Sequence, residues 1–139
     1  MTTTKTAMIR GAAAVALFGL GLATGLVAQT GGDTPTRHEQ KRTDLTGAPN
    51  MEVIASIVEI KPGESSERHF HNGVESVYVL QASTIQFPGK EPQVMNVGTV
   101  SQNLRGVVHG GYKVVGDTSL KLFAVHVVDK GKPLYEFSK

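Results

Sequence analysis

The chain of 139 residues contains no cysteine. Disulfides, thiolate zinc clusters and cysteine nucleophiles are excluded together. The chain also lacks a charge excess outside its first residues. Lys5 and Arg10 sit in a leader-like N-terminus; setting them aside from the 14 basic residues leaves 12, against 12 acidic ones. The formal charge of +2 is therefore no argument for nucleic acid or for an anionic membrane surface. Beyond the leader there is no helical stripe, no internal repeat and no extended low-complexity tract. The length implies one domain with a single core.

Residues 1–28 read as a secretory signal peptide. Lys5 and Arg10 form a positive start, and residues 11–28 are uncharged and mostly apolar, with small residues spaced for cleavage between Ala23 and Ala28. The alternative is an uncleaved anchor at the lower length limit for a span, but the glycines and alanines make the segment weakly hydrophobic. Export to a periplasmic or extracellular compartment is expected, and the absence of cysteine is compatible with oxidising surroundings. Residues 29–50 are polar and rich in Gly, Pro and Thr. They read as a flexible linker, because such a segment buries too little surface to offset its ordering entropy. His38 within it is expected to be an ordinary solvated histidine.

Residues 51–139 read as an all-β domain. Strands are expected over 51–61, 68–71, 75–82, 84–87, 93–97, 112–115 and 119–128, punctuated by Pro62-Gly63, Asn72-Gly73, Pro88-Gly89, Gly98 and Gly116-Asp117. Many short strands with frequent turns suggest a sandwich or barrel. The first strand carries β-branched residues on both faces and is expected to be covered on both sides, which hints at a homodimer.

Chemistry concentrates in His69-Phe70-His71-Asn72-Gly73-Val74-Glu75, with a lone His109 downstream. Two histidines at i and i+2 share one face of a strand. Three neutral imidazoles and a carboxylate would form an N/O site for a divalent transition metal, not for Mg²⁺ or Ca²⁺. If Asn72-Gly73 is a two-residue hairpin turn, Glu75 points away from both histidines. A three-residue connection instead sets His71 opposite Glu75 and His69 opposite Val77. The metal reading thus requires an odd-length loop or a bulge.

The spacing of these residues resembles the two motifs of the cupin superfamily. Gly63, five residues, His69-x-His71, three residues, Glu75, six residues, Ala82 is similar to the first motif, which has glycine where Ala82 stands. Gly98, five residues, Leu104-x-Gly106, two residues, His109, three residues, Lys113 is similar to the second, which usually has proline at Leu104 and asparagine at Lys113. The resemblance implies a double-stranded β-helix, or jelly-roll barrel, with one metal held by His69, His71, Glu75 and His109. Fe, Mn, Ni, Cu and Zn all suit such a set. Lys113, a cation near the site, is expected to point outward. Phe70 and Tyr78 should face away from the histidines by alternation. His126, among apolar neighbours, is expected to be a core histidine satisfied by a backbone group, with a cavity-lining role as the alternative.

Four protein ligands in a six-coordinate shell leave two positions for water, dioxygen or a chelating substrate. Glu75 is the ligand able to detach and accept a proton, so it is the candidate catalytic base. The first functional expectation is an exported, dioxygenase-like oxidoreductase acting on a small oxygenated or aromatic molecule, by analogy with quercetinase-like cupins. A non-catalytic module binding a metal or small ligand is the second, and a metal-dependent lyase or isomerase the third. A small-molecule ligand is the expected partner. No nucleic acid is expected, nor any membrane once the leader is removed.

Overall fold

The computed structural model describes residues 35–138. The signal segment expected over 1–28 lies outside the described residues. The eleven strands are β1 (Thr36–Asp44), β2 (Met51–Ile60), β3 (Ser65–Ser66), β4 (His69–Phe70), β5 (Gly73–Gln81), β6 (Ser83–Gln86), β7 (Gln93–Met95), β8 (Val100–Asn103), β9 (Tyr112–Val114), β10 (Leu120–Asp129) and β11 (Glu136–Phe137). They form a five-stranded sheet β1-β2-β10-β5-β8, a four-stranded sheet β3-β9-β6-β7 and a two-stranded ribbon β11-β4. Every pairing is antiparallel.

Period-two alternation in the sequence sets which side chains meet between the sheets. On β10, Leu120, Leu122, Ala124, His126 and Val128 are buried, and on β2 Glu52, Ile54, Ser56, Val58 and Ile60 are. Val58, Ile60, Val77, Val79, Leu120 and Leu122 pack against Ile85 and Val114 of the smaller sheet. The opposite face of β2, with Val53, Ala55 and Ile57, is only partly buried. Its continuation across the sheet carries exposed Phe123, Tyr78 and Val100.

Two expectations are corrected. Residues 36–44 are a strand and not part of a flexible linker: β1 runs antiparallel along β2, with a bulge between Glu39 and Lys41. It carries no apolar alternation, so pattern reading misses it. Its order comes from the backbone ladder and a file of charges in which Arg37 meets Glu39, Glu39 meets Arg42, and Arg42 reaches buried Glu52 at 2.6 Å. His38 on this strand is exposed, as expected.

The hairpin at Asn72-Gly73 does not exist. β4 pairs with β11, while β5 pairs with β10 and β8. The chain bends at Asn72 without folding back into a hairpin, and burial alternates without a break at His69, His71, Gly73, Glu75, Val77 and Val79. Even separations keep His69, His71 and Glu75 on one buried face without a hairpin turn between them. The odd-length loop is unnecessary.

Gly73 is therefore a glycine of close approach. A β-carbon there would press into the Val127 carbonyl and lie 2.6 Å from the Val128 Cα. Because Val128 is its ladder partner on β10, neither backbone can yield without opening the sheet. Gly73→Ala is expected to cost about 2–3 kcal/mol, lowering Tm by roughly 10 °C or more. Gly63 has φ +88° with open space around it, so Gly63→Ala should cost only about 1–2 kcal/mol of backbone strain. Thermal unfolding of the two variants beside the parent checks the order.

Candidate metal centre

Four strands, the link between β4 and β5, and the segment between β8 and β9 bring the site together. Glu75 on β5 is directly opposite His126 on β10, and on its other side opposite Asn103 on β8. His69 and His109 form an antiparallel bridge and exchange backbone hydrogen bonds of 3.0 and 2.8 Å, which carries the distant histidine to the first pair. Gly110 makes this bridge possible. It has φ +75°, and a β-carbon there would lie 2.9 Å from Ser66 Oγ and 3.3 Å from His69 Nδ1. His69, His71, Glu75 and His126 are buried, and His109 is partly so.

Backbone carbonyls fix the tautomers. His69 Nδ1 lies 2.7 Å from the Glu67 oxygen, His71 Nδ1 2.5 Å from that of Leu134, and His109 Nδ1 3.0 Å from that of Val107. A carbonyl only accepts, so each Nδ1 carries the hydrogen and each Nε2 is left to act as donor to a Lewis acid. The rings converge, with centroids 4.3–4.9 Å apart, and the Nε2 atoms of His71 and His109 stand 3.2 Å from each other. Two imidazole lone pairs at that distance repel unless a cation or proton lies between them. This is the observation that tests the donor set, and the set fits a cation.

The ligand atoms form two triads that share His71. One is His69, His71 and His109; the other is His71, Glu75 and His126, each with its ligand atoms within 4.8 Å of one another. Glu75 joins them: its Oε2 is 3.2 Å from His109 Nε2 and 3.5 Å from His71 Nε2, while its Oε1 is 3.2 Å from His126 Nε2. Asn103 Nδ2 donates to Oε2 at 2.6 Å. The four residues expected from the motif are thus brought to one place.

His126 departs from expectation. No backbone group satisfies it; it is fully buried, and neither ring nitrogen has a hydrogen bond among the described residues. The close approach to Glu75 Oε1 is off the hydrogen-bond direction. Alternation along β10 would have placed His126 inward, but nothing in the sequence gives its register against Glu75. Asn103 was likewise invisible, for it reaches Glu75 only through the β5–β8 pairing. Phe70 and Tyr78 have the opposite alternation to the histidines, and Lys113 is exposed, all as expected.

The electrostatics follow from burial and contact. Burial pushes His69 down to about 4, against the opposing pull of its bond to the Glu67 carbonyl. Burial would also lower His109, but the Glu75 carboxylate and the Val107 carbonyl outweigh it and raise the ring above its ordinary value. Burial opposes ionisation of Glu75, yet the imidazoles of His109, His126 and His71 prevail and hold it well below the usual carboxylate range. Tyr112 and Tyr135 are pushed up to about 12, mainly by burial and then by Glu75. Both phenols stay protonated at neutral pH.

The site opens into a cavity of about 450 Å³ between the sheets, within the range of small-molecule sites. His69, Glu75, His109 and Asn103 line one part, and Val58, Ile60, Val77, Leu122, Phe87 and Met95 another. Tyr135 lies edge-on to His69 and His71, with ring centroids 4.9 and 5.2 Å away.

No family description matches the chain, and no curated protein matches it. Its likeness to solved structures is one of fold. The DMSP lyase DddQ from Ruegeria pomeroyi DSS-3 superposes with a TM-score of 0.54 at 15% identity, over 75% of this chain and 51% of that one. The chain thus spans about half the length of that lyase. An uncharacterised protein with a double-stranded β-helix domain from Klebsiella pneumoniae gives 0.53 at 16% identity, over 76% and 85% of the two chains. A protein from Thermus thermophilus gives 0.51 at 16% identity, over 73% and 90%. Two antiparallel sheets around a histidine-lined cavity, with these neighbours, give the chain a double-stranded β-helix fold.

Proposed function

We propose that His69, His71, His109 and Glu75 hold one divalent transition metal, and that the chain is a metal-dependent enzyme of the lyase or isomerase kind acting on a small molecule. The observation that carries the metal is the convergence of Nε2 atoms on rings whose Nδ1 atoms each face a backbone carbonyl. A bound metal would supply Lewis acidity, polarising an oxygen of a chelated substrate.

The chain's own residues then set the chemistry. Asn103 donates a hydrogen bond to the Glu75 carboxylate on one side, and His126 lies 3.2 Å from it on the other. Those contacts make Glu75 a good anchor and weaken it as a proton acceptor, so the base role expected from its motif position becomes the less favoured one. Tyr112 and Tyr135, protonated and lining the cavity, offer neutral hydroxyls able to hydrogen-bond a substrate oxygen. One protein of similar fold is a DMSP lyase, which supports the lyase option by analogy alone. Nothing in the cavity speaks for dioxygen in particular, and the dioxygenase-like reading becomes the second.

Metal analysis and calorimetric titration of the parent should give about one ion per chain by this donor count. His71→Ala should lose that binding. Asn103→Ala, which removes only the partner of Glu75, should weaken affinity roughly 10–100-fold. A parent that takes up no metal, or a His71→Ala variant that binds like it, would sink the proposal. Turnover of a panel of small carbonyl and carboxylate compounds should persist under nitrogen; turnover that stops without oxygen would restore the dioxygenase reading.

Acid should oppose folding through His69 in the metal-free protein. Its pKa falls from 6.5 to about 4 on folding, so between those values the unfolded chain binds a proton that the folded chain does not. Stability from this group is therefore present above about pH 6.5 and is lost as pH falls towards 4. Urea titrations across this window should show the decline, and His69→Gln should flatten it.

A further inference from the structure

Arg68 lines the cavity from the position next to His69. Its side chain is exposed, and its stem crosses Gly111. A β-carbon on that glycine would lie 2.8 Å from Arg68 Cγ and 3.5 Å from Cδ. Gly111 also has φ +77°, so the bare position both permits the backbone turn and leaves a bed for the arginine stem.

The other three described arginines are all committed. Arg37 meets Glu39 and donates to Ser56 Oγ; Arg42 meets Glu39 and Glu52; Arg105 grips Asp129 with two bonds of 2.8 and 2.9 Å. The Arg68 guanidinium has no ion pair or hydrogen bond among the described residues. Among those lining the cavity, Glu75 is the one acid, and Asn103 and the imidazoles already engage it. The cavity therefore contains one uncommitted cation, with no acid free to answer it.

We propose that Arg68 determines specificity at this site by binding the carboxylate of a small substrate. The planar guanidinium fork matches a carboxylate in a two-bond grip. A single charged donor opposite apolar walls suits an anion with one charged head and an apolar body, which would lie against Val58, Val77, Leu122, Phe87 and Met95. The inference deepens the proposed function, since it rests on the cavity being a small-molecule site.

Hexanoate and its neutral isostere hexanamide are suitable probes, titrated by calorimetry into both metal-loaded and chelator-treated protein because a bound metal also attracts carboxylates. Hexanoate should bind and hexanamide should not. Arg68→Gln should weaken hexanoate roughly tenfold or more in both preparations, with metal content unchanged. Arg68→Lys, which keeps the charge and loses the fork, should fall between. The proposal is overturned if hexanoate fails to bind, if the two probes bind alike, or if Arg68→Gln keeps the parent's affinity. A protein that takes up metal but fails these tests loses this inference and keeps the metal centre. One that binds hexanoate through Arg68 without taking up metal does the reverse.

Discussion

Three imidazoles face one another because three backbone carbonyls hold their far sides. Each carbonyl takes an Nδ1–H, from His69, His71 or His109, and so turns an unprotonated nitrogen inward. The arrangement is unfavourable in isolation, since buried acceptors are pointed at acceptors. It persists because the carbonyls belong to the main chain, and the main chain is held by sheet ladders. Glu75 answers the same problem with negative charge, drawing a proton towards His109 when no metal is present.

The sheet pairing explains what else belongs to the centre. The row Ile54, His126, Glu75, Asn103 crosses the large sheet through directly opposed positions. Its members come from four strands, and Glu75 and His126 each have a neighbour on either side to lock their rotamers. A carboxylate flanked in this way is rigid, which suits a ligand better than a group that must swing between metal and substrate. The carbonyl of Leu134 and the ring of Tyr135 come from the segment just before β11, so this short ribbon contributes chemistry as well as cover.

Much of the architecture was legible in the sequence, for a simple reason. β2, β5, β6, β9 and β10 alternate or cluster apolar side chains, and their burial drives the fold, while β7 was legible by its apolar pair although it lies largely exposed at a sheet edge. β1 was illegible because its order comes from charge pairs and a backbone ladder, and β3, β8 and β11 because two to four residues carry no period. Of the site, His69, His71, Glu75 and His109 could be named from spacing. The geometry joining them was misread, since Asn-Gly signals a turn in most settings and here Gly73 serves close packing. His126, Asn103 and Arg68 depend on cross-strand register or on a neighbouring glycine's missing side chain. Those are properties of the folded chain alone.

The bond from His71 to Leu134 joins residues 63 apart in the chain. Contacts of such separation close large loops, whose entropy must be overcome before the contact is made. His71 thus has its inward-facing nitrogen only where the segment before β11 is docked beside β4. A partly folded chain would offer the same histidines in mixed tautomers and open geometry, a poorer trap for metal. The geometry of the centre therefore depends on docking of the C-terminal segment as much as on the histidines themselves.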